Sequence, residues 1–152
     1  MLTRAGTIAL RALVELARHP GSKISGPELA ARQGLPAAMV ERLLLSMRRA
    51  GLVDASRGRS GGYQLKVKPQ EIYLEAVLNA VGGWRQAAVI NDISANQPSA
   101  AAIAGDHLEL QLQQRLLRAM QKELACLSLA ELLYDQRSWE AALNPEGGLM
   151  LG

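Results

Sequence analysis

Apolar residues recur along the chain at spacings that name the elements one after another. Ile8, Ala12, Leu13 and Leu16 repeat at helical intervals while Arg4, Arg11, Glu15 and Arg18 form a narrow polar stripe, which predicts a helix over residues 3–18. Leu10 and Val14 fall off the main apolar face, so this helix needs neighbours on more than one side. His19-Pro20-Gly21 stops it. Ser25-Gly26-Pro27-Glu28 opens a second, short helix with capping-box spacing between Ser25 and Glu28, and Ile24 is placed to staple onto Leu29. Gly34 ends that helix where positive φ is favoured. A third helix over residues 36–50 buries Val40, Leu43, Leu44 and Met47 and turns Ala37, Ala38, Glu41, Arg42, Leu45 and Arg49 outward.

Two helices joined by a short turn containing glycine are the sequence form of a helix-turn-helix. Residues 52–56 and 63–67 then read as strands around RGRSGG, a hairpin beside the third helix. The fold class that follows is mainly α with a small β-hairpin, a winged helix-turn-helix over residues 1–83. A short helix over 71–81 ends at Gly82-Gly83, and residues 84–105 read as a loop. A long helix over 106–125 carries Leu110, Leu117 and Leu124 seven apart with Met120 between, widened by Leu108, Leu112 and Leu116. So broad a face needs a partner, and Leu110, Leu117, Met120 and Leu124 are expected to form a dimer seam; packing on the chain's own domain is the other option. Ser128-Leu129-Ala130-Glu131 is a second capping box opening a helix through Tyr134, so residues 106–135 make a dimerisation unit and 136–152 a loose tail.

Composition narrows the chemistry. The 152 residues suffice for one domain, and a core without phenylalanine must be built from Leu, Ala, Val, Ile and Met. The one cysteine, Cys126, cannot form an internal disulfide, which fits a reducing compartment. Charges interrupt the apolar N-terminal run, which argues against a signal peptide or membrane span and for a cytoplasmic protein. The net charge of +3 divides sharply: residues 1–68 hold twelve Lys and Arg against four acids, residues 69–152 five against ten. A basic first half points to a polyanion, most often nucleic acid; the plainer alternative is a solvated surface.

On that reading Ala37, Ala38, Glu41 and Arg42, outward at the start of the third helix, are the candidates for base edges. Arg42 can pair bidentately with guanine; Glu41 can accept from a cytosine amine, or else pair with Arg48 or another arginine. Arg4, Lys23, Ser25 and Arg49 are placed for phosphates, and Arg57, Arg59, Ser60 and Gly61 for phosphates or a minor groove. Catalysis finds no support: there is one thiol, no paired His and acid in a motif, and the glycine-rich loop joins two strands rather than a strand and a helix. The second hypothesis is a winged-helix interaction or dimerisation module without DNA binding, which has no need of the basic half.

The runs LTRAGTIALRALVELA, LAARQGLPAAMVERLLLSMRRAGLV, SRGRSGGYQL and PQEIYLEAVLNAVGG, in this order, resemble the Rrf-two family, whose best-known member is the iron–sulfur cluster regulator. The resemblance covers about residues 1–83, and LSLAELL resembles the family's C-terminal region more faintly. It implies a homodimeric regulator on palindromic double-stranded DNA, with the third helix in the major groove, the wing at the adjoining minor groove, and the long helices across the dimer axis. It also implies a sensor of iron–sulfur, redox or nitric oxide status, or another small-molecule or protein effector, through a cluster held mainly by cysteines between the winged helix and the long helix. Here residues 84–106 contain no cysteine, so the usual thiolate ligands are missing and no cofactor is predicted. His107 stands near the expected place as a metal-ligand candidate or a surface residue; Cys126, at the far end of the long helix, is either a packing residue or a redox switch across the dimer. Ile8 stands where the family's first helix usually carries an aromatic.

Overall fold

The computed structural model describes residues 2–84 and 99–144. Most of the expected 84–105 loop, and the tail beyond Asn144, lie outside the described residues. Helices α1 (Arg4–Arg18), α2 (Gly26–Gln33) and α3 (Ala37–Arg49) come first, followed by strands β1 (Val53–Ser56) and β2 (Gly62–Leu65). A 3₁₀ turn (Pro69–Glu71) leads to α4 (Leu74–Val81), α5 (Ala100–Cys126) and α6 (Leu129–Leu143). The strands pair antiparallel from Val53 opposite Leu65 to Ser56 opposite Gly62. Among the described residues no helix is long and apolar enough to cross a membrane.

Helix α1 is the axis of the core. It packs on α2, α3, α4, α6 and β2, which is why Leu10 and Val14 need not lie on one face with Ile8 and Leu13. Helix α3 buries Val40, Leu43, Leu44 and Met47, as its spacing predicts. Leu129 and Leu133 of α6 join the same cluster, so the C-terminal helix folds back onto the winged half. Backbone bonds fasten this return: Leu74 N donates to Leu127 O at 2.9 Å and Leu129 N to Ile72 O at 2.7 Å.

The boundaries depart furthest from expectation at α5 and α6, and α4 begins at Leu74 rather than at residue 71. Helix α5 begins at Ala100 rather than at residue 106, because Ser99 caps Ala102 N and an alanine-rich run follows, the best helix-forming composition available. Gly105 lies inside the helix instead of ending the loop. Helix α6 runs on past Tyr134 to Leu143, since nothing between them breaks a helix once the Ser128–Glu131 capping box has started it. At α2 only half of the expected box forms: Ser25 Oγ accepts from Glu28 N at 3.3 Å, while the Glu28 carboxylate accepts from Arg32 instead, at 2.6 Å.

Candidate nucleic-acid interface

The turn from α2 into α3 is built by Gly34, whose backbone (φ 60°, ψ 41°) lies in the left-handed region open to glycine. Leu35 N bonds back to Ala30 O at 2.8 Å, and Pro36 precedes the first turn of α3. This leaves Ala37, Ala38 and Arg42 exposed together at the N-terminal end of α3, with Arg48 and Arg49 exposed at its other end.

The hairpin stands beside α3 and is pinned at its base. Ile24 and Tyr63 exchange both backbone bonds, Ile24 N to Tyr63 O at 2.9 Å and Tyr63 N to Ile24 O at 2.8 Å, adding a one-residue third strand. Gly62 (φ 150°) is required at this seam, for a Cβ there would lie 2.7 Å from the Ile24 carbonyl carbon. From that base the tip projects with Arg57, Gly58, Arg59 and Ser60 exposed and Gly61 half-buried. Lys23 is exposed next to the Ile24 bridge and Ser25 caps α2, so both sit at the foot of the wing. Arg4 is exposed at the start of α1, where Thr3 N bonds Gly83 O at the end of α4.

Glu41 departs from the outward role expected of it. It is half-buried, and its carboxylate accepts from the Tyr63 hydroxyl at 3.2 Å. The same carboxylate packs onto Gly26, where any Cβ would collide with it. Glu41 therefore ties α3 to the wing strand and to the start of α2. Burial first, and then the adjacent Glu41 carboxylate, hold the Tyr63 hydroxyl above its ordinary pKa, so it remains a donor to that carboxylate. The side chain able to reveal this was Tyr63, but its contact with Glu41 spans 22 positions and carries no local signal.

The arginines differ in their pairing. Arg18 and Arg32 pair with Glu15, Glu28 or Glu140 on the side of α1 and α2, where the His19 ring also contacts Glu15. Arg42, Arg48, Arg49, Arg57 and Arg59 are exposed and form no ion pair among the described residues. Helix α3 and the wing thus carry a cluster of five exposed arginines outside any ion pair among the described residues. Arg4, Lys23, Lys66 and Lys68 nearby, and Arg115, Arg118, Lys122 and Arg137 on α5 and α6, are likewise exposed and outside any such pair.

Helix α5 divides its leucines. Leu117 and Leu124 are half-buried, with Gln113 and Gln121, and α5 packs on α4; Leu110 and Met120 are exposed. The open apolar residues include Leu108, Leu110, Leu112, Leu116 and Met120, so of the expected seam Leu110 and Met120 are open while Leu117 and Leu124 are half-buried. His107 is exposed within α5, its Nε2 2.9 Å from the Gln111 side-chain nitrogen. Cys126 ends the helix exposed rather than packed. Among the described residues no three His, Cys, Asp or Glu side chains converge on a point that could hold a metal ion. The residues present do not suit a thiolate-held cluster, for the whole chain has one cysteine.

The comparisons agree with this architecture. The model of the Rrf2 family, described as iron-dependent transcriptional regulators, matches residues 2–135. The chain belongs to the Rrf2 family. A relative from Synechocystis sp., classed among HTH-type transcriptional regulators, is 35% identical over 142 residues, which cover 93% of this chain and 92% of the relative. The HTH-type transcriptional regulator IscR of Aliivibrio salmonicida is 38% identical over 84 residues, 53% of this chain and 48% of that protein, so the match spans about half of its length. The solved structure of T. potens IscR superposes with a TM-score of 0.67 over 90% of this chain and 88% of that one; at 23% identity it shows the shared fold. Winged helix-turn-helix architecture and Rrf2 membership are thus both in hand.

Proposed function

We propose that this Rrf2-family chain acts as a homodimer on palindromic double-stranded DNA. Helix α3 would enter the major groove, with Ala37, Ala38 and Arg42 reaching base edges, and Arg57 and Arg59 would meet the adjoining minor groove. Arg49, Lys23 and Ser25 would take phosphates, as would Arg4 from the start of α1. The observation that carries the reading is the set of exposed arginines on α3 and the wing that form no ion pair among the described residues. The open stripe of α5 supports the dimer: a 27-residue helix about 40 Å long with no buried residue has a face suited to a second copy.

Gel retardation of genomic fragments of the source organism at several salt concentrations tests it. Binding that weakens steeply as salt rises, with the slope of several released counterions, is expected; no retarded fragment at low salt would remove the reading. The signal is read as something other than a thiolate-held cluster, so the protein treated with iron and sulfide is expected to stay colourless. A stable visible absorbance would replace that part of the reading with an unusual ligand set.

A further inference from the structure

A carboxylate taken out of water is costly unless opposite charges and hydrogen bonds replace the solvent. Glu15, on α1, has a side chain only 6% exposed and is surrounded by such replacements. One oxygen accepts from Gln33 Nε2 at 2.7 Å and lies 3.6 Å from Arg18 Nη1; the other lies 3.2 Å from His19 Nε2 and 3.6 Å from Arg32 Nη1. Both guanidiniums are anchored from outside, Arg18 by Glu140 at 2.9 Å and Arg32 by Glu28 at 2.6 Å. Arg11, one turn earlier on α1, donates to the Gln33 backbone carbonyl at 2.6 Å and to its side-chain oxygen at 3.3 Å. Helix α1 therefore holds Gln33 at its carbonyl and at both ends of its amide.

Gln33 is the last residue of α2, and Gly34 immediately afterwards swings the chain toward α3. Apolar contact between α1 and α2 is non-directional and lets one helix slide on the other. A hydrogen-bonded clamp at the last residue does not. We propose that Glu15 is the positioning residue of the helix-turn-helix: with Arg11 it grips Gln33 and so sets where α2 ends and α3 begins. The inference rests on the DNA-binding reading for its consequence, but the grip itself is made by Glu15 and Arg11 of α1 on Gln33 of α2.

Hydrogen exchange and operator titration on Glu15→Leu, Glu15→Gln and Gln33→Ala test it. Glu15→Leu removes only the carboxylate, while Arg18 and Arg32 reach solvent and keep Glu140 and Glu28 as partners. No charge is left buried and unpaired, so the variant should retain a cooperative melt. Its amides over residues 30–40 should exchange about tenfold faster than in the wild type. Its operator Kd should rise about tenfold while the salt slope stays unchanged, because the phosphate-facing cations are intact. Glu15→Gln keeps an acceptor for Gln33 and should recover part of both losses. A folded Glu15→Leu with wild-type exchange over residues 30–40 overturns the proposal. Should that variant fail to fold, half-buried Gln33→Ala decides by the same exchange measurement. If the wild type binds no DNA and the exchange still rises, the regulator reading falls and the clamp stands.

Discussion

Helices α3 and α5 carry leucine at similar density, three in 13 residues and six in 27, yet their surroundings could hardly differ more. On α3 the core takes one stripe, Val40, Leu43, Leu44 and Met47, and leaves Leu45 exposed among the polar residues. On α5 they spread round much more of the helix. One side rests half-buried along α4, while Leu108, Leu112 and Leu116 stay more than half exposed. A leucine moved from water into a packed core is worth about 1.5–3 kcal/mol, so leaving several outside on one helix forfeits a large share of what that helix could contribute. The winged half, completed by Leu129 and Leu133 of α6, is a closed core, and α5 leaves an apolar face open. That contrast ties the proposed DNA reading to the proposed dimer, because a palindrome would demand two copies and the open face of α5 would be available to join them.

Placing one residue type in both settings tests the contrast most directly. Leu44→Ala should cost about 2–5 kcal/mol of unfolding free energy, read by denaturant titration, because the fully packed site cannot collapse around the lost methyl groups. Leu116→Glu should leave the helical spectrum of the winged half intact and convert the species seen by light scattering to a monomer. A Leu116→Glu protein that keeps the wild-type mass would mean that α5 pairs through another face, or not at all. A concentration-dependent melting temperature in the wild type, absent from Leu116→Glu, would sharpen the same point.

Within the winged half a second contrast separates the tip of the hairpin from the start of α3. Arg42→Ala should change which base pair is preferred, with about 1–3 kcal/mol of discrimination lost at one operator position. Arg59→Ala should weaken binding several-fold across all operators, since its charge meets backbone or groove rather than one base. Titration of an operator-variant panel separates the two patterns. Unchanged affinity in Arg59→Ala would show that the wing stays off the DNA.

What sequence reasoning could see follows the same division. Signals that act over one or two turns were legible: the Val40–Leu43–Leu44–Met47 stripe, the left-handed Gly34, the glycine tip of the hairpin and the capping box before α6. Interactions that join distant segments left no local trace. Glu15 reads as part of a polar stripe because its spacing matches Arg11 and Arg18, yet its partner Gln33 lies 18 residues away and buries it. Glu41 reads as outward-facing because α3 taken alone exposes it; only the wing, by bringing Tyr63 alongside, turns its carboxylate inward. The start of α5 was obscured by Gly105, which a helix tolerates when the flanking alanines favour it enough. Along α5 periodicity alone cannot tell the half-buried Leu117 and Leu124 from the open Leu108, Leu110, Leu112 and Leu116.

The smallest predicted effect lies at the junction of the two regions, where Ser128 and Glu131 join α5 to α6. The Glu131 carboxylate accepts from Ser128 N at 2.7 Å and from Ser128 Oγ at 3.0 Å, and Glu131 N donates back to Ser128 Oγ. The backbone bond first and the hydroxyl second hold its pKa below the usual glutamate range. A folded-state value below the unfolded one stabilises the fold above the unfolded pKa of about 4.3, and that stabilisation is lost as pH falls through the folded value. Glu131→Gln keeps the shape of the cap and removes the charge. Its melting temperature should therefore lie slightly below the wild type at pH 7, with the gap closing on acidification through pH 4 and below. A gap of constant size over that range would mean that the carboxylate's charge contributes nothing to the cap, and that Ser128 alone sets how α6 begins its return to the core.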